Sequence, residues 1–259
     1  MASMRLSSFL FSLLGISILL TGCGAVFVNE GSKNASLANG LPNPNAKQGK
    51  KVDVSKEAKV ISNFDDGSTN MNPKLYNGGS GGQWMAITYG GNTINKEFIV
   101  AGGANGTPKA VHIFGSLVDK GDKVYPSFEL QAKFKDTGYY DASAFTGIKF
   151  YYKCPATDAA LKRRFAIGTA PTLPTSGGGT CSDQCYNNFG ADLSVAADWT
   201  AKTYALADLK RESGWGAPVT PPDLTDHLKE FIDLEWANSA NNAAGSYNID
   251  YWVDEVEFF

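Results

Sequence analysis

Two kinds of side chain in this sequence have the type and spacing to act on a ligand: carboxylates on alternating stretches, and aromatic rings among polar neighbours. Glu129, Asp233 and Glu235 fall on the polar sides of two such stretches. Glycoside hydrolysis needs two carboxylates at a defined separation. Acids on the wet side of a strand are ordinarily just solvated, and these are expected not to catalyse. As acceptors they suit a hydroxyl-bearing ligand better. Gln131, Arg164, Asp233 and Glu235 offer hydroxyl partners, and Tyr151, between Lys149 and Lys153, offers a ring to a C–H face. Tyr139, Tyr140, Tyr186 and Trp215 lie in or near loops and could form a rim, whereas Trp199, Trp236 and Tyr152 are expected in the core.

Other chemistries find little support. His112 lies in an apolar run, where a packed or rim role is expected, and His227 follows Pro221-Pro222 in a polar stretch expected at the surface. There is no G-x-S-x-G, no Ser/His/Asp set that spacing nominates, and no phosphate-cradling glycine loop before a helix. The cysteines and histidines lack zinc spacing. Two acid pairs stand out by position: Asp65-Asp66, just after the first apolar run, and Asp254-Glu255, inside the last.

The elements that must position these groups read as strands. In Ser246 to Phe259, Ile249, Tyr251 and Val253 alternate with Asn248, Asp250 and Trp252. The apolar parity then slips to Val256 and Phe258, as a β-bulge would cause, with Asp254 and Glu255 at the slip. This closing strand is expected to pair with an early one, the best candidate being Lys59 to Phe64. Further strands are expected over 83–89, 97–101, 109–117, 127–134, 146–153, 164–169, 199–206 and 230–236. Single helical turns are possible within 153–163, 207–212 and 224–228. Nine or ten short strands without long helical patterns predict an all-β, two-sheet jelly-roll sandwich over residues 58–259.

The N-terminus reads as an address. Arg5 precedes an apolar run, Leu6 to Leu20, that ends in Leu20-Thr21-Gly22-Cys23. This resembles the lipobox of bacterial lipoproteins, which implies cleavage before Cys23 and lipidation of Cys23. Residues 1–22 would then be a signal peptide, and Gly24 after the cysteine favours an outer-membrane or cell-surface destination in the cell envelope. Residues 24–57, rich in Asn, Ser, Gly and Lys, read as a tether of roughly 30 Å reach. The net charge is −3, and Arg5 is the only charged residue before Cys23. A mildly acidic chain without charge runs argues against a nucleic-acid partner.

Several stretches together resemble jelly-roll carbohydrate-binding modules of the galactose-binding-like fold, family 11 in particular. They are Val60-Ile61-Ser62-Asn63-Phe64-Asp65-Asp66-Gly67, Ser143 to Phe150, Asp198-Trp199-Thr200 with Leu206-Ala207-Asp208-Leu209, Ser213-Gly214-Trp215-Gly216, and Ile249 to Phe258. The resemblance implies non-catalytic binding of a polysaccharide or oligosaccharide. It also implies a structural calcium tying first strand to last, for which Asp65, Asp66, Asp254 and Glu255 could supply carboxylates. Short-spaced cysteine pairs in loops of such modules suggest a disulfide between Cys181 and Cys185, beside Tyr186. Cys154 could instead bridge to one of that pair. A structural or assembly lipoprotein gripping a protein partner with the same sheet is the alternative.

Overall fold

The structure, a computed structural model, describes residues 59–76, 81–90, 93–95, 97–121, 126–155, 161–240 and 244–259, with 93–95 as backbone only. The signal peptide, Cys23 and the tether lie outside the described residues.

Among the described residues, twelve strands form two antiparallel sheets. They are β1 (Val60–Ser62), β2 (Gln83–Thr88), β3 (Thr93–Asn95), β4 (Ile99–Ala101), β5 (Lys109–Asp119), β6 (Ser127–Lys133), β7 (Gly147–Cys154), β8 (Leu161–Thr169), β9 (Phe189–Asp192), β10 (Ala196–Ala205), β11 (Phe231–Ala240) and β12 (Gly245–Phe258). A seven-stranded sheet runs β10-β7-β12-β5-β3, with β1 added on β12 and β4 on β5; a five-stranded sheet runs β2-β6-β11-β8-β9. The result is the two-sheet jelly-roll sandwich. The expected helical turns at 207–212 and 224–228 are short 3-10 turns, Leu206–Asp208 and Leu224–Glu230.

The closing strand is the spine of the larger sheet. Its first half pairs with β5, its end pairs with β1 through Val60↔Glu257 and Ser62↔Val256, and β7 covers its other edge. The register on β7 shifts between Asp254 and Glu257, and Glu255 takes a left-handed φ of 46°. The slip in apolar parity is therefore a bulge. It keeps Val256 and Phe258 in the core after Ile249, Tyr251 and Val253, all five essentially inaccessible.

The core between the sheets is aromatic. Trp236 of β11 meets Phe165 and Phe150, both at 5.1 Å between ring centroids, and Trp84 at 5.5 Å. Tyr251 donates its hydroxyl to the Trp236 carbonyl across the sandwich at 2.8 Å. Each large ring buried here contributes a few kcal/mol of hydrophobic stabilisation, about 25 cal/mol per Å² removed from water. Trp236 and Tyr152 are core residues as expected, but Trp199 is not: it is half-buried on the outer face of the seven-stranded sheet. His227 also departs from expectation. It is buried, donates through Nε2 to Pro221 O at 2.8 Å, sets Nδ1 3.4 Å from Glu230 Oε2, and stacks near Phe189.

Candidate functional site

Strand alternation places one set of side chains on the outer face of the five-stranded sheet. In β6, Phe128, Leu130 and Ala132 point to the core, so Ser127, Glu129, Gln131 and Lys133 point outward. In β11, Leu234 and Trp236 are in the core and Asp233, Glu235 and Ala237 are outward. Antiparallel register sets Gln131 beside Glu235, Lys133 beside Asp233 and Glu129 beside Ala237. Glu129 is therefore the diagonal neighbour of Glu235, and three carboxylates share a small area of one face.

These acids are held by neutral partners. Gln131 Nε2 donates to Asp233 Oδ2 at 2.7 Å, and the Gly168 amide donates to Asp233 Oδ1 at 3.1 Å. A Cβ at residue 168 would lie 2.1 Å from that oxygen, so only glycine admits the carboxylate here. Asn188 Nδ2 donates to Glu235 Oε2 at 2.8 Å, and Ser127 Oγ to Glu129 Oε1 at 2.9 Å. Asp233 and Glu235 are 1% and 7% exposed, whereas Glu129 is half-buried and reaches the surface. Burial, then the charge of Glu235, pushes the Glu129 carboxyl up to about 8. Asp233 is raised far above the usual carboxylate range by burial and by its two acid neighbours, and burial raises Glu235 as well. The three titrate as a set rather than singly.

Two tyrosines stand over this cluster. Tyr89, at the end of β2, and Tyr186 are 41% and 49% exposed, with ring centroids 6.2 Å apart and planes tilted by 58°. Burial raises both phenols, and the charges of Glu129 and Glu235 add to that. Tyr186 follows Cys185, which is bridged to Cys181. Its backbone sits at φ 73° and its amide donates to Thr172 O at 2.7 Å. The short bridge and this anchor fix where the ring can go. Cys154 is a buried free thiol, which closes the alternative pairing.

Arg164 and Trp215 form a neighbouring but separate group around Glu212. Arg164 pairs with Asp192 at 3.0 Å and approaches Glu212 at 3.7 Å, Lys162 reaches Glu212 at 2.7 Å, and Trp215 Nε1 donates to the same carboxylate at 3.1 Å. Burial pushes Glu212 up, but hydrogen bonds from Lys162 and Trp215 and the two cations outweigh it and hold Glu212 low. Trp215 is 46% exposed. Asn187, next to Asn188, ties this loop down through Glu212 O, the Glu212 amide and Trp215 O.

Tyr151 belongs to neither group. It projects from β7 on the other sheet, opposite Asp254 and Ala201, in a cavity of about 480 Å³ with Lys149, Lys202 and Glu257. Gln131, Arg164, Asp233 and Glu235 are therefore not on strands neighbouring Tyr151, because alternation assigns a residue to a face and does not say to which sheet. Asp233 and Glu235 are also too buried to be the first contact of a ligand. Glu129 with Gln131 is the accessible pair.

The four acids expected to hold calcium accept hydrogen bonds within the chain. Asp254 Oδ2 accepts from the Ala104 amide at 2.8 Å and from Thr107 Oγ1 at 2.7 Å, and its Oδ1 accepts from the Glu255 amide at 2.7 Å. Glu255 accepts from Asn105, and Asp65 and Asp66 accept from Asn63 and the Ser68 amide. Asp65 Oδ1 is buried with no hydrogen-bond partner. Among the described residues, no three Asp, Glu, His or Cys side chains form a group that could hold a metal.

Tyr89 and Asn188 complete the site that sequence reading only outlined. Tyr89 shares parity with Gln83, Met85 and Ile87, which would have marked it as outward once Trp84 was assigned to the core. Asn188 lies beyond the loop and carried no such signal.

No family model and no curated protein matches the chain. Among solved structures it is similar to the family 11 carbohydrate-binding module of cellulosomal cellulase Lic26A-Cel5E of Clostridium thermocellum, at 14% identity and TM-score 0.47 over 78% of this chain and 93% of that one. A family 11 module from Clostridium thermocellum in complex with a β-1,3-1,4-mixed-linked tetrasaccharide gives 15% identity and TM-score 0.48 over 78% and 94%. A family 30 carbohydrate-binding module gives 10% and 0.38 over 67% and 87%. Similarity at that level carries no argument about ligand or activity, which rest on the side chains of the five-stranded sheet.

Proposed function

We propose that this domain binds glycan, without cleaving it, on the outer face of the five-stranded sheet. The observation that carries this reading is the pair of exposed rings, Tyr89 and Tyr186, set 6.2 Å apart beside the accessible Glu129 and Gln131. Sugar C–H faces pack on such rings, and hydroxyls hydrogen-bond to the carboxylate and amide. Non-catalytic binding is the reading because Asp233 and Glu235 are buried against amides, leaving Glu129 without a second accessible carboxylate of the cluster to work across a glycosidic bond. Titration of an oligosaccharide panel by calorimetry tests it. Binding that Tyr186→Ala abolishes without lowering the melting point supports the reading, and reporter-glycoside hydrolysis lost with Glu129→Gln contradicts it.

Leu20-Thr21-Gly22-Cys23 supports a lipid anchor at Cys23 and a place in the cell envelope. Cys23→Ala should then release the protein from membrane fractions, and equal retention of the variant defeats the anchor.

A further inference from the structure

Glu129, Asp233 and Glu235 gather three carboxyl groups whose ionised forms the protein does not neutralise there. The cations of the surrounding surface are engaged elsewhere. Lys162 pairs with Glu212, Arg164 with Asp192 and Lys210 with Asp223. Among the described residues, no Lys, Arg or His makes an ion pair with any of the three acids. Lys133, beside Asp233 in register, offsets part of the charge on Asp233 through its field alone.

A second observation points the same way. Asn188 gives its Nδ2 to Glu235, and its Oδ1, on a side chain 4% exposed, has no donor at all. A buried acceptor without a donor is costly. The site is thus short of both positive charge and hydrogen donors. The two rings above it, Tyr89 and Tyr186, present faces that attract a cation.

We propose that the ligand of this face is a cationic amino sugar, an oligosaccharide of N-unsubstituted glucosamine-type units. Its ammonium sits against Glu129 between the two rings, with Asp233 and Glu235 adding their field from beneath. This rests on the glycan-binding reading above and names its substrate class. An ammonium supplies three donors and the missing charge in one group. It also relieves the repulsion that keeps the acids partly protonated. A bare metal ion is the poorer match, since the acids do not form a metal-holding group.

The test is calorimetric titration of the intact domain with three oligosaccharides of equal length: N-unsubstituted glucosamine, its N-acetylated form, and neutral glucose. The amine form should bind at least about tenfold tighter than the other two, the effect of one charge-assisted contact. That preference should shrink as salt rises. Glu129→Gln should erase the preference, and Asp250→Asn on the opposite sheet should leave it intact. Equal or tighter binding of the neutral or N-acetylated sugar, a preference insensitive to salt, or oligolysine binding as well as the amino sugar overturns this proposal while leaving glycan binding standing. Binding of none of the three overturns the glycan reading itself, and this one with it.

Discussion

On the outer face of the seven-stranded sheet, His112 stacks on Trp252 at 3.9 Å between centroids, and Lys153 lies over the other flank of that indole at 4.0 Å. His112 in turn meets Asp250 at 2.8 Å, and Lys149 pairs with Glu257 nearby. On the outer face of the five-stranded sheet, Glu129, Asp233 and Glu235 meet amides, a hydroxyl and one another. The two faces have similar ingredients, aromatic rings and charged groups on alternating strands. On one, charges and rings are matched within the protein; on the other, like charges are gathered and the rings stand out from the surface. A face whose charges are matched contributes to stability, while a face that gathers unmatched charge at a cost in stability has that charge available for something outside the chain.

The contrast is broken first at the rings. Tyr89→Ala with Tyr186→Ala should cut glycan affinity about 100-fold, in the range of paired hot-spot residues. Trp252→Ala should leave affinity unchanged and lower the melting temperature instead. The reverse pattern in calorimetry and thermal denaturation would exchange the roles of the two faces.

The acids give the next largest effect. Asp254 accepts three hydrogen bonds from the loop at 104–107 and the bulge, so Asp254→Ala should cost about 2 kcal/mol in denaturant unfolding by leaving those donors unpaired. Glu129→Gln removes an acid that is not ion-paired and that must keep its proton to stay buried, so it should stabilise the fold at neutral pH. A destabilised Glu129→Gln alongside an unaffected Asp254→Ala would show that the charge balance of the two regions has been misassigned.

Stability should also follow pH in a particular direction. The folded-state value of Glu129, about 8, lies above its ordinary 4.5. Between those values the folded chain keeps a proton that the unfolded chain has released. The contribution is complete below about 4.5 and is lost as pH rises through about 8. The melting temperature should therefore fall from mildly acidic to mildly alkaline pH, and Glu129→Gln should flatten the slope. A melting temperature that rises over that range contradicts the burial of the cluster.

The smallest effect is expected at the disulfide. Opening Cys181–Cys185 by paired serine substitution should cost at most about 2 kcal/mol, because the closed loop is short. Its clearer result is a few-fold loss of affinity through Tyr186.

Much of this fold could be read from alternation. Phe128, Leu130 and Ala132 against Glu129, Gln131 and Lys133 announce a two-faced strand, and the slip at Asp254-Glu255 announces the bulge. Pairing of the first and last strands followed from an apolar closing stretch that needed cover. The missed strands, β3 and β9, are three and four residues long. The site was legible only in part. Gln131, Asp233 and Glu235 belong together because two strands of like pattern pair in register, but Tyr151, with the same pattern, landed on the other sheet. Its partner strands are chosen by long-range pairing that no local spacing encodes. Trp199 looked like core for its size alone and lies half-buried outside, against Trp252 and Lys153. Asn188 and Tyr186 are placed by loop anchors, Glu235 in one case and Thr172 O and the disulfide in the other, and those anchors exist only in the folded chain.

The central claim is which face takes the ligand, and an NMR titration of the isotopically labelled domain with a glucosamine oligosaccharide tests it most directly. The account predicts shift changes gathered at Tyr89, Glu129, Gln131, Tyr186 and Asn188, with His112, Tyr151 and Trp252 unmoved. Shifts gathered at His112, Tyr151 and Trp252 instead would contradict it.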